Sequence, residues 1–239
     1  MRIITGIYKG RRFDIPRSFK ARPTTDFAKE NIFNVLNSYI DLEGVRALDL
    51  FAGTGSISLE LLSRGCSQVV SVEADRDHAR FIGECVRKLG VTNHQLIRGD
   101  VFRYLKSAQK SSTLTRGSTA LPLEHRDEAA LNGRRPLNCD AVAIERGSAA
   151  LNAAQQHLNR GEAAIEHPDR GRAFSFIFAD PPYALPNLPD IPDLVLQSGI
   201  LAPGGVFVFE HGKQNDFSSH PYFREHRAYG SVNFTIFTT

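Results

Sequence analysis

The sequence predicts an α/β fold: a mostly parallel, seven-stranded sheet with helices on both faces and an antiparallel hairpin at its C-terminal edge. From residue 45 onward, short apolar runs alternate with helical stretches, which is the pattern of parallel strands joined by helices. These runs are almost continuously apolar, as expected of strands that are buried on both faces. The last two runs flank Gly230-Ser231, a pair that favours a tight hairpin turn.

An extension over residues 1–40 precedes the sheet. Residues 2–16 alternate loosely and have Gly6 and Gly10 at turn positions, so they predict a small hairpin. The following segment offers Thr24, Thr25 and Asp26 as N-cap residues, and its apolar residues recur at helical spacing. A helix is therefore predicted from about 26 to 40.

The sheet-bearing domain is predicted over residues 41–239. Gly65 ends the first of its helices and Gly90 the second, and a further helix is predicted near 190–199. The predicted strands, in chain order, are VRALDLF, QVVSVEAD, HQLIRGD, FSFIFAD, VFVFEHG and the two arms of the hairpin FREHRAYG-SVNFTIFTT.

Residues 107–172 interrupt this alternation. The segment contains Ser/Thr-rich and Ala-rich patches with scattered Gly and Pro, and no strand pattern is visible in it. A structureless connection of this length is unusual in a compact domain. We interpret it as a mobile insertion with one helix, in SAALNAAQQHLNR. A partner-binding or RNA-binding lid is the functional alternative to a tolerated surface insertion.

Composition excludes several classes of protein. The chain has 239 residues, 41% of them hydrophobic and 23% charged, as in ordinary globular proteins. No apolar run approaches the roughly 20 residues that span a bilayer, and the N-terminus does not lead into a signal peptide, so we expect a cytoplasmic protein without membrane contact. Cys66, Cys85 and Cys139 lack Cys-x-x-Cys spacing, so we expect free thiols and no bound metal.

Positive charge is concentrated at the N-terminus. Residues 1–30 hold eight Lys and Arg residues against three Asp and Glu, although the whole chain carries a net charge of only +3. Lys9, Arg11 and Arg12 cluster on the predicted hairpin, which makes a polyanion such as RNA the natural partner. The alternative is that these residues only solvate the hairpin.

The stretch DLFAGTGSIS, residues 49–58, lies where the first strand of the sheet turns into a helix. Glycines there let backbone N–H groups approach a ligand, and a helix N-terminus favours negative charge. A dinucleotide fingerprint has glycine at its third conserved position, where this chain has Ser58. The match to a nicotinamide site is therefore incomplete.

Carboxylates at three strand ends shift the interpretation towards S-adenosylmethionine. Asp49 suits the cofactor's ammonium group or a water bound to it, Glu73 suits the ribose hydroxyls, and Asp100 suits the adenine amino group, with Val101 and Phe102 packing on the ring. Each carboxylate by itself is more often a helix cap. Together with the glycine loop, they favour cofactor binding.

The turn FADPPYAL, residues 178–185, is expected beside that loop. An exocyclic amine of a base is a poor nucleophile, because its lone pair is delocalised into the ring. Hydrogen-bond acceptors at its N–H groups favour the reactive, pyramidal nitrogen. We assign this task to the Asp180 carboxylate and the Pro181 carbonyl, with Pro182 as a rigid brace and Tyr183 as a stacking surface for the base. An ordinary strand terminator is the alternative.

Three motifs in order, RIITGIYKGRRF, RPTTDFAKENIFNVL and DLFAGTGSISLELLSRG, followed by Asp-Pro-Pro-Tyr, resemble the RsmD family of class I methyltransferases. The resemblance covers about 1–106 and 173–239. It implies a Rossmann-like fold and methyl transfer from S-adenosylmethionine to N2 of a guanine in 16S ribosomal RNA, within a small-subunit assembly particle. Nothing in the sequence argues against a monomer, so we expect one. By matching motif positions, the resemblance also implies site residues: Asp180, Pro181, Pro182 and Tyr183 for catalysis; Asp49, Phe51, Ala52, Gly53, Thr54, Gly55, Glu73 and Asp100 for the cofactor; and Arg22, Pro23, Thr24 and Thr25 at the substrate entrance. To the cofactor residues we add Ala74, Val101 and Phe102. The residues expected to bind RNA are Lys9, Arg11 and Arg12, chosen for their charge, together with Arg22, Thr24 and Thr25.

Other functions stay open at this point. Asp-Pro-Pro-Tyr also occurs in adenine-N6 and cytosine-N4 methyltransferases. A DNA adenine methyltransferase would need a target-recognition region, for which only the insertion is available, and enzymes that methylate a protein glutamine usually have Asn in place of Asp180. A non-catalytic RNA-binding assembly factor would keep the fold and lose the chemistry.

Overall fold

A computed structural model describes residues 1–19, 25–116 and 173–239, with the backbone alone for 110–116. The helix predicted in SAALNAAQQHLNR and the expected mobility of the insertion lie outside the described residues.

Within the described residues, the predicted α/β fold is confirmed. A seven-stranded sheet has the order β3-β2-β1-β4-β5-β7-β6, with β7 antiparallel to both of its neighbours and the other pairs parallel. Its strands are β1 Arg46–Leu50, β2 Gln68–Glu73, β3 His94–Arg98, β4 Phe174–Ala179, β5 Leu201–His211, β6 Phe223–Tyr229 and β7 Val232–Thr238.

The helices cover both faces of the sheet, and all except the first follow one of its parallel strands. They are α1 Asp26–Leu36, α2 Ser56–Ser63, α3 Arg76–Leu89, α4 Val101–Arg116 and α5 Ile191–Gln197, the last preceded by a 3-10 turn at Leu188–Asp190. One face packs on α1, α2 and α3 through residues such as Ala47 and Phe176. The opposite face packs on α4 and α5 through residues such as Leu48 and Ile177. Alternate residues of one strand therefore serve two cores.

One predicted helix boundary was wrong, and one helix was missed. Helix α1 ends at Leu36 rather than near residue 40, because the Ser38 hydroxyl and the Tyr39 N–H bond back to the carbonyls of Val35 and Leu36 in a terminal turn. Helix α4, which the sequence analysis did not predict, runs to Arg116, nine residues beyond residue 107, where the insertion is expected to start. The stretch 101–116 contains neither Gly nor Pro, so nothing in it stops the helix.

The N-terminal hairpin is present and is short. Arg2 and Arg12 form an antiparallel bridge, and the Ile3 N–H donates to the Arg11 carbonyl at 3.0 Å. The hairpin packs directly on α2 at Gly6, which has φ of 86°. A Cβ atom at this position would lie 1.8 Å from the Ser63 carbonyl oxygen, so only glycine fits here.

The remaining structural expectations concern cysteines, metals and membranes. Cys66 and Cys85 are buried free thiols, as predicted, and burial raises the pKa of Cys66 to about 12. Cys139 lies outside the described residues. Within the described part of the chain, no cluster of three His, Cys, Asp or Glu side chains is arranged to hold a metal ion. Nor does any helix there have the length and apolar character that a membrane crossing requires.

Candidate active site

The strand order reverses between β1 and β4, and the glycine loop and the Asp-Pro-Pro-Tyr turn meet at this point. Leu50 at the end of β1 pairs with Ala179 at the end of β4. Immediately beyond, the Asp180 N–H donates to the Leu50 carbonyl at 3.3 Å. Crevices at such reversals are where open parallel sheets bind ligands. The structure thus brings together the two motifs that the sequence assigned to one site.

The glycine loop adopts left-handed backbone conformations at three positions: Phe51 has φ of 61°, Gly53 of 55° and Gly55 of 74°. A Cβ atom at Gly55 would lie 2.9 Å from Ile82, so this glycine allows α3 to approach. A Cβ atom at Gly53 would meet only the Phe51 carbonyl oxygen, at 3.8 Å. The open space beside Gly53 fits the close approach of a cofactor.

Glu73, at the end of β2, ties the loop to the neighbouring strand. Its carboxylate accepts hydrogen bonds from the Gly53 N–H at 2.6 Å and from the Asp75 N–H at 2.8 Å. The His78 imidazole lies 3.9 Å away. Both carboxylate oxygens retain further acceptor capacity, so the predicted bonds to ribose hydroxyls remain compatible with this arrangement.

Asp49 lies at the floor of the site, with 1% of its surface exposed. Its Oδ2 accepts from the Ser58 N–H at 3.0 Å and from the Ser58 hydroxyl. Burial raises the pKa of Asp49 to about 7, against the lowering effect of the bonds from Ser58. Asp49 therefore holds the first turn of α2 and, at the same time, is an acid whose charge changes near neutral pH.

Asp100 caps α4, because its Oδ1 accepts from the Arg103 N–H at 2.9 Å. Val101 is buried beneath it, and the Phe102 ring meets that of Phe51 edge-on at 6.2 Å. The second carboxylate oxygen leaves the predicted contact with adenine possible, and that contact stays a prediction. The other predicted cofactor residues lie in the same region: Ala52 and Thr54 are buried in the loop, and Ala74 is exposed after β2.

The Asp-Pro-Pro-Tyr turn is anchored at one end and open at the other. Asp180 is half-buried and Pro181 buried, whereas Pro182 and Tyr183 are exposed. The Tyr183 hydroxyl donates to Glu210 Oε1 at 2.9 Å, and this carboxylate, in β5, is only 4% exposed. The sequence analysis missed Glu210. The signal was available, because an acid near the end of the apolar strand VFVFE matches the pattern of the other strand ends.

The N-terminal extension reaches the same region. Thr25 is the N-cap of α1, its hydroxyl accepting from the Ala28 N–H at 3.1 Å. One turn later, the buried Lys29 ammonium group donates to Ser56 Oγ, at the start of α2, at 3.1 Å. The sequence analysis also missed Lys29, although a lysine beside Ala28 on the apolar stripe of α1 was a visible anomaly. Arg22 and Thr24 lie outside the described residues.

The predicted basic residues of the hairpin lie away from the crevice. Lys9, Arg11 and Arg12 are exposed. Arg11 and Arg12 line a cavity of about 390 Å³ together with Lys88, near the end of α3, and with Asp14. Because the crevice lies near the start of α3, roughly 15–20 Å of helix separates it from this cavity.

Comparisons with known proteins agree with this geometry. A family model described as "Conserved hypothetical protein 95" matches residues 1–116 and 113–238. "Putative rRNA methyltransferase YlbH" of Bacillus subtilis is 41% identical over 118 residues, 49% of this chain and 63% of the relative. "Ribosomal RNA small subunit methyltransferase D" of Escherichia coli K12 is 34% identical over 112 residues, 47% of this chain and 54% of the relative. The chain thus matches only about half to two thirds of the length of these two relatives.

A solved structure shows the same fold over the full length. The "putative methyltransferase yhhF" of Escherichia coli superposes with a TM-score of 0.65 at 19% identity, covering 100% of this chain and 97% of the other. The class I methyltransferase fold predicted from the sequence is therefore confirmed. Since the family model also matches nearly the entire chain, the protein belongs to the family of Conserved hypothetical protein 95, the RsmD family that its motifs resemble.

Proposed function

We propose that this protein transfers a methyl group from S-adenosylmethionine to the exocyclic N2 of a guanine in 16S ribosomal RNA. The observation that carries the proposal is the meeting of two motifs at adjoining strand ends, where the Asp180 N–H binds the Leu50 carbonyl just before the glycine loop. Methylation of an amine needs a loop that binds the methyl donor and a rigid turn that accepts hydrogen bonds from the amine. The names of the relatives in Bacillus subtilis and Escherichia coli support ribosomal RNA as the substrate.

S-adenosylmethionine supplies a methyl group on a positively charged sulfur. The cofactor's ribose is assigned to Glu73, which the Gly53 and Asp75 N–H groups hold in place. Adenine is assigned to Asp100 and Phe102, and the amino group to Asp49. These roles place carboxylates towards the hydroxyl and amino groups of the cofactor, which are hydrogen-bond donors.

The guanine amine is assigned to Asp180 and the Pro181 carbonyl. Two acceptors at its N–H groups orient the nitrogen lone pair towards the methyl group, and the Pro-Pro sequence keeps the acceptors fixed. Tyr183 is 40% exposed, and its hydroxyl is held by Glu210. A ring fixed at one end and open on its face suits stacking of a planar base that has left its helix.

RNA binding is assigned to the N-terminal extension, namely Lys9, Arg11, Arg12, Arg22, Thr24 and Thr25. Lys88 adds a further positive charge beside Arg11 and Arg12 at the cavity between the hairpin and α3. A phosphate contact there, one helix length from the crevice, would orient an extended RNA across the protein. We further propose that the substrate is a small-subunit assembly particle, that the protein acts as a monomer, and that it works in the cytoplasm.

The assignment of RNA binding to the N-terminal hairpin is tested by the salt dependence of RNA binding. Replacing Lys9, Arg11 and Arg12 with Ala should reduce the slope of log affinity against log salt by about 0.7–0.9 for each lost phosphate contact. Arg224→Ala, on the exposed far-edge strand β6, is the control and should leave the slope unchanged. An unchanged slope in the triple variant would remove the hairpin from the RNA interface.

The function itself is tested by mapping methylated bases in 16S ribosomal RNA from cells with and without the gene. One N2-methylguanine should disappear on deletion and return when the gene is restored. In the purified system, small-subunit particles should accept the methyl group from labelled S-adenosylmethionine, with naked RNA as the comparison. Loss of a methyladenine, with every methylguanine retained, would instead assign the protein to the adenine-N6 class.

A further inference from the structure

A continuous chain of polar side chains leads away from Asp49 through the interior. The Ser58 hydroxyl, on α2, donates to Asp49. Ser58 Oγ lies 2.6 Å from Ser71 Oγ, on β2, and Ser71 Oγ lies 2.8 Å from His94 Nε2, on β3. The chain therefore crosses from the central strand, through a helix and a second strand, to the edge strand of the parallel half of the sheet.

The interior part of this chain has no access to water. Asp49 is 1% exposed, and Ser58 and Ser71 are fully buried among apolar residues such as Val69 and Ile57. Buried hydroxyls are costly unless they are paired, and two of them in sequence between an acid and an imidazole form a fully connected network. His94 is only half-buried, so the chain ends near the surface.

The direction of the hydrogen bonds follows from the state of Asp49. An ionised carboxylate only accepts, so the Ser58 hydroxyl donates its single proton to Asp49. Ser58 must then accept from the Ser71 hydroxyl, and Ser71 must accept from the N–H at Nε2 of His94. A neutral carboxyl group can reverse every bond, and Nε2 of His94 then accepts. The tautomer of a surface-near histidine is thereby coupled to the charge of the acid under the glycine loop.

Ser58, which connects Asp49 to the rest of the network, stands where a dinucleotide fingerprint has glycine. It occupies the third position of the Gly-x-Gly-x-x-Gly pattern, where a glycine has no hydroxyl to link β1 with β2. In this chain, the hydroxyl at that position is the link between Asp49 and the rest of the network. The serine that departs from the fingerprint therefore has a specific place in the hydrogen-bond network of the site.

We propose that Ser58, Ser71 and His94 are positioning residues that hold the Asp49 carboxylate, in its ionised form, as the acceptor for the cofactor's amino group. The inference rests on the proposed function, and it adds residues on β2 and β3 that do not touch the cofactor. When Nε2 of His94 donates at the far end, each hydroxyl in turn is oriented towards Asp49.

Within the described part of the chain, few other charges act on Asp49. From β2, the Glu73 carboxylate raises the pKa of Asp49. From α1 and α2, Lys29 and Glu60 pair with each other, and Glu60 also pairs with Arg64; from β4, the register partner of Asp49 is the apolar Phe178. Burial lowers the pKa of His94 to about 4, so that His94 is neutral near pH 7 and able to act as a one-proton donor. The network is therefore suited to keeping a carboxylate with a raised pKa ionised.

The test compares two ligands by calorimetry: S-adenosylhomocysteine, which carries the amino group, and methylthioadenosine, which lacks it. His94→Leu should weaken binding of S-adenosylhomocysteine about tenfold, as expected for losing a donor to a buried polar network, and should change methylthioadenosine binding less than about twofold. The midpoint of the pH dependence of S-adenosylhomocysteine binding should also move to higher pH. His94→Gln, which retains an N–H donor, should restore most of the affinity.

Ser71→Ala breaks the same chain with a much smaller change of volume and should show the same selectivity for the ligand with the amino group. Equal weakening of both ligands in His94→Leu and Ser71→Ala, or no weakening in either, would overturn the proposal. Failure of the wild-type protein to bind S-adenosylhomocysteine is a different result, because it would contradict the proposed function itself.

Discussion

The Lys29 ammonium group and the Glu60 carboxylate lie 3.7 Å apart, and both side chains are fully buried where the N-terminal extension meets α2. Lys29 also donates to the Arg2 carbonyl at 2.7 Å. Glu60 accepts from the N–H groups of Ile4 and Thr5 at 2.8 and 3.0 Å. One ion pair thus joins the hairpin, α1 and the helix that begins at the glycine loop.

Removing one member of this pair should destabilise the protein strongly. Lys29→Met leaves the buried Glu60 carboxylate with Arg64, 3.0 Å away, but without Lys29. The free energy of unfolding should therefore fall by about 3 kcal/mol, the lower end of the range for breaking a buried pair. Urea unfolding followed by circular dichroism measures this. Arg80→Met, which breaks an exposed ion pair with Asp77, is the control and should cost less than about 1 kcal/mol. Equal costs for the two variants would show that the buried pair has no special role.

Tyr183 should act through its ring more than through its hydroxyl. Tyr183→Ala removes the exposed stacking face and should reduce kcat/KM for RNA about 10- to 100-fold, as expected for losing one base–aromatic contact. Tyr183→Phe keeps the ring face but loses the hydrogen bond to Glu210, and it should reduce kcat/KM for RNA only severalfold. Single-turnover methylation with varied RNA gives both values. A larger loss in Tyr183→Phe than in Tyr183→Ala would contradict the stacking role.

The buried Asp49 should make stability depend on pH. Its pKa is raised from 3.8 to about 7, so the folded state binds a proton that the unfolded state releases between these values. Its contribution to stability is therefore fully present below about pH 4 and is lost as the pH rises through about 7. The contribution of His94 to stability changes with pH in the opposite direction. Because its pKa is lowered, this contribution is present above about pH 6.5 and is lost as the pH falls through about 4.

Asp49→Asn isolates the first of these effects. The stability of this variant minus that of the wild type should increase between pH 4.5 and pH 8 by roughly 3–4 kcal/mol. Chemical denaturation at four or five pH values in this range provides the difference. A difference that stays constant across the range would mean that Asp49 titrates in the folded protein as it does in the unfolded chain.

The fold was predictable from the sequence because it rests on local patterns. Near-continuous apolar strands, glycines after helices and the Gly230-Ser231 turn each carry their own signal, and the seven-stranded sheet follows from them. The end of α1 was less predictable, since helix ends depend on capping bonds such as that of the Ser38 hydroxyl.

The placement of the candidate site residues was predictable where they lie at or just beyond the ends of strands. Asp49, Glu73, Asp100 and Asp180 all lie at the expected edge of the sheet. Lys29 and His94 were not predictable in the same way, because their importance comes from partners 27 and 23 residues away, Ser56 and Ser71. A single sequence gives no register between β2 and β3, and therefore cannot show that His94 meets Ser71.

The central claim, that Asp180 orients an amine for methyl transfer, is tested most directly by measuring cofactor binding and methyl transfer in Asp180→Ala. Asp193→Ala, an exposed acid on α5, serves as the control. Asp180→Ala should bind S-adenosylhomocysteine within about twofold of the wild type and transfer methyl groups to small-subunit RNA at least about 100-fold more slowly. Undiminished transfer in Asp180→Ala would contradict the account.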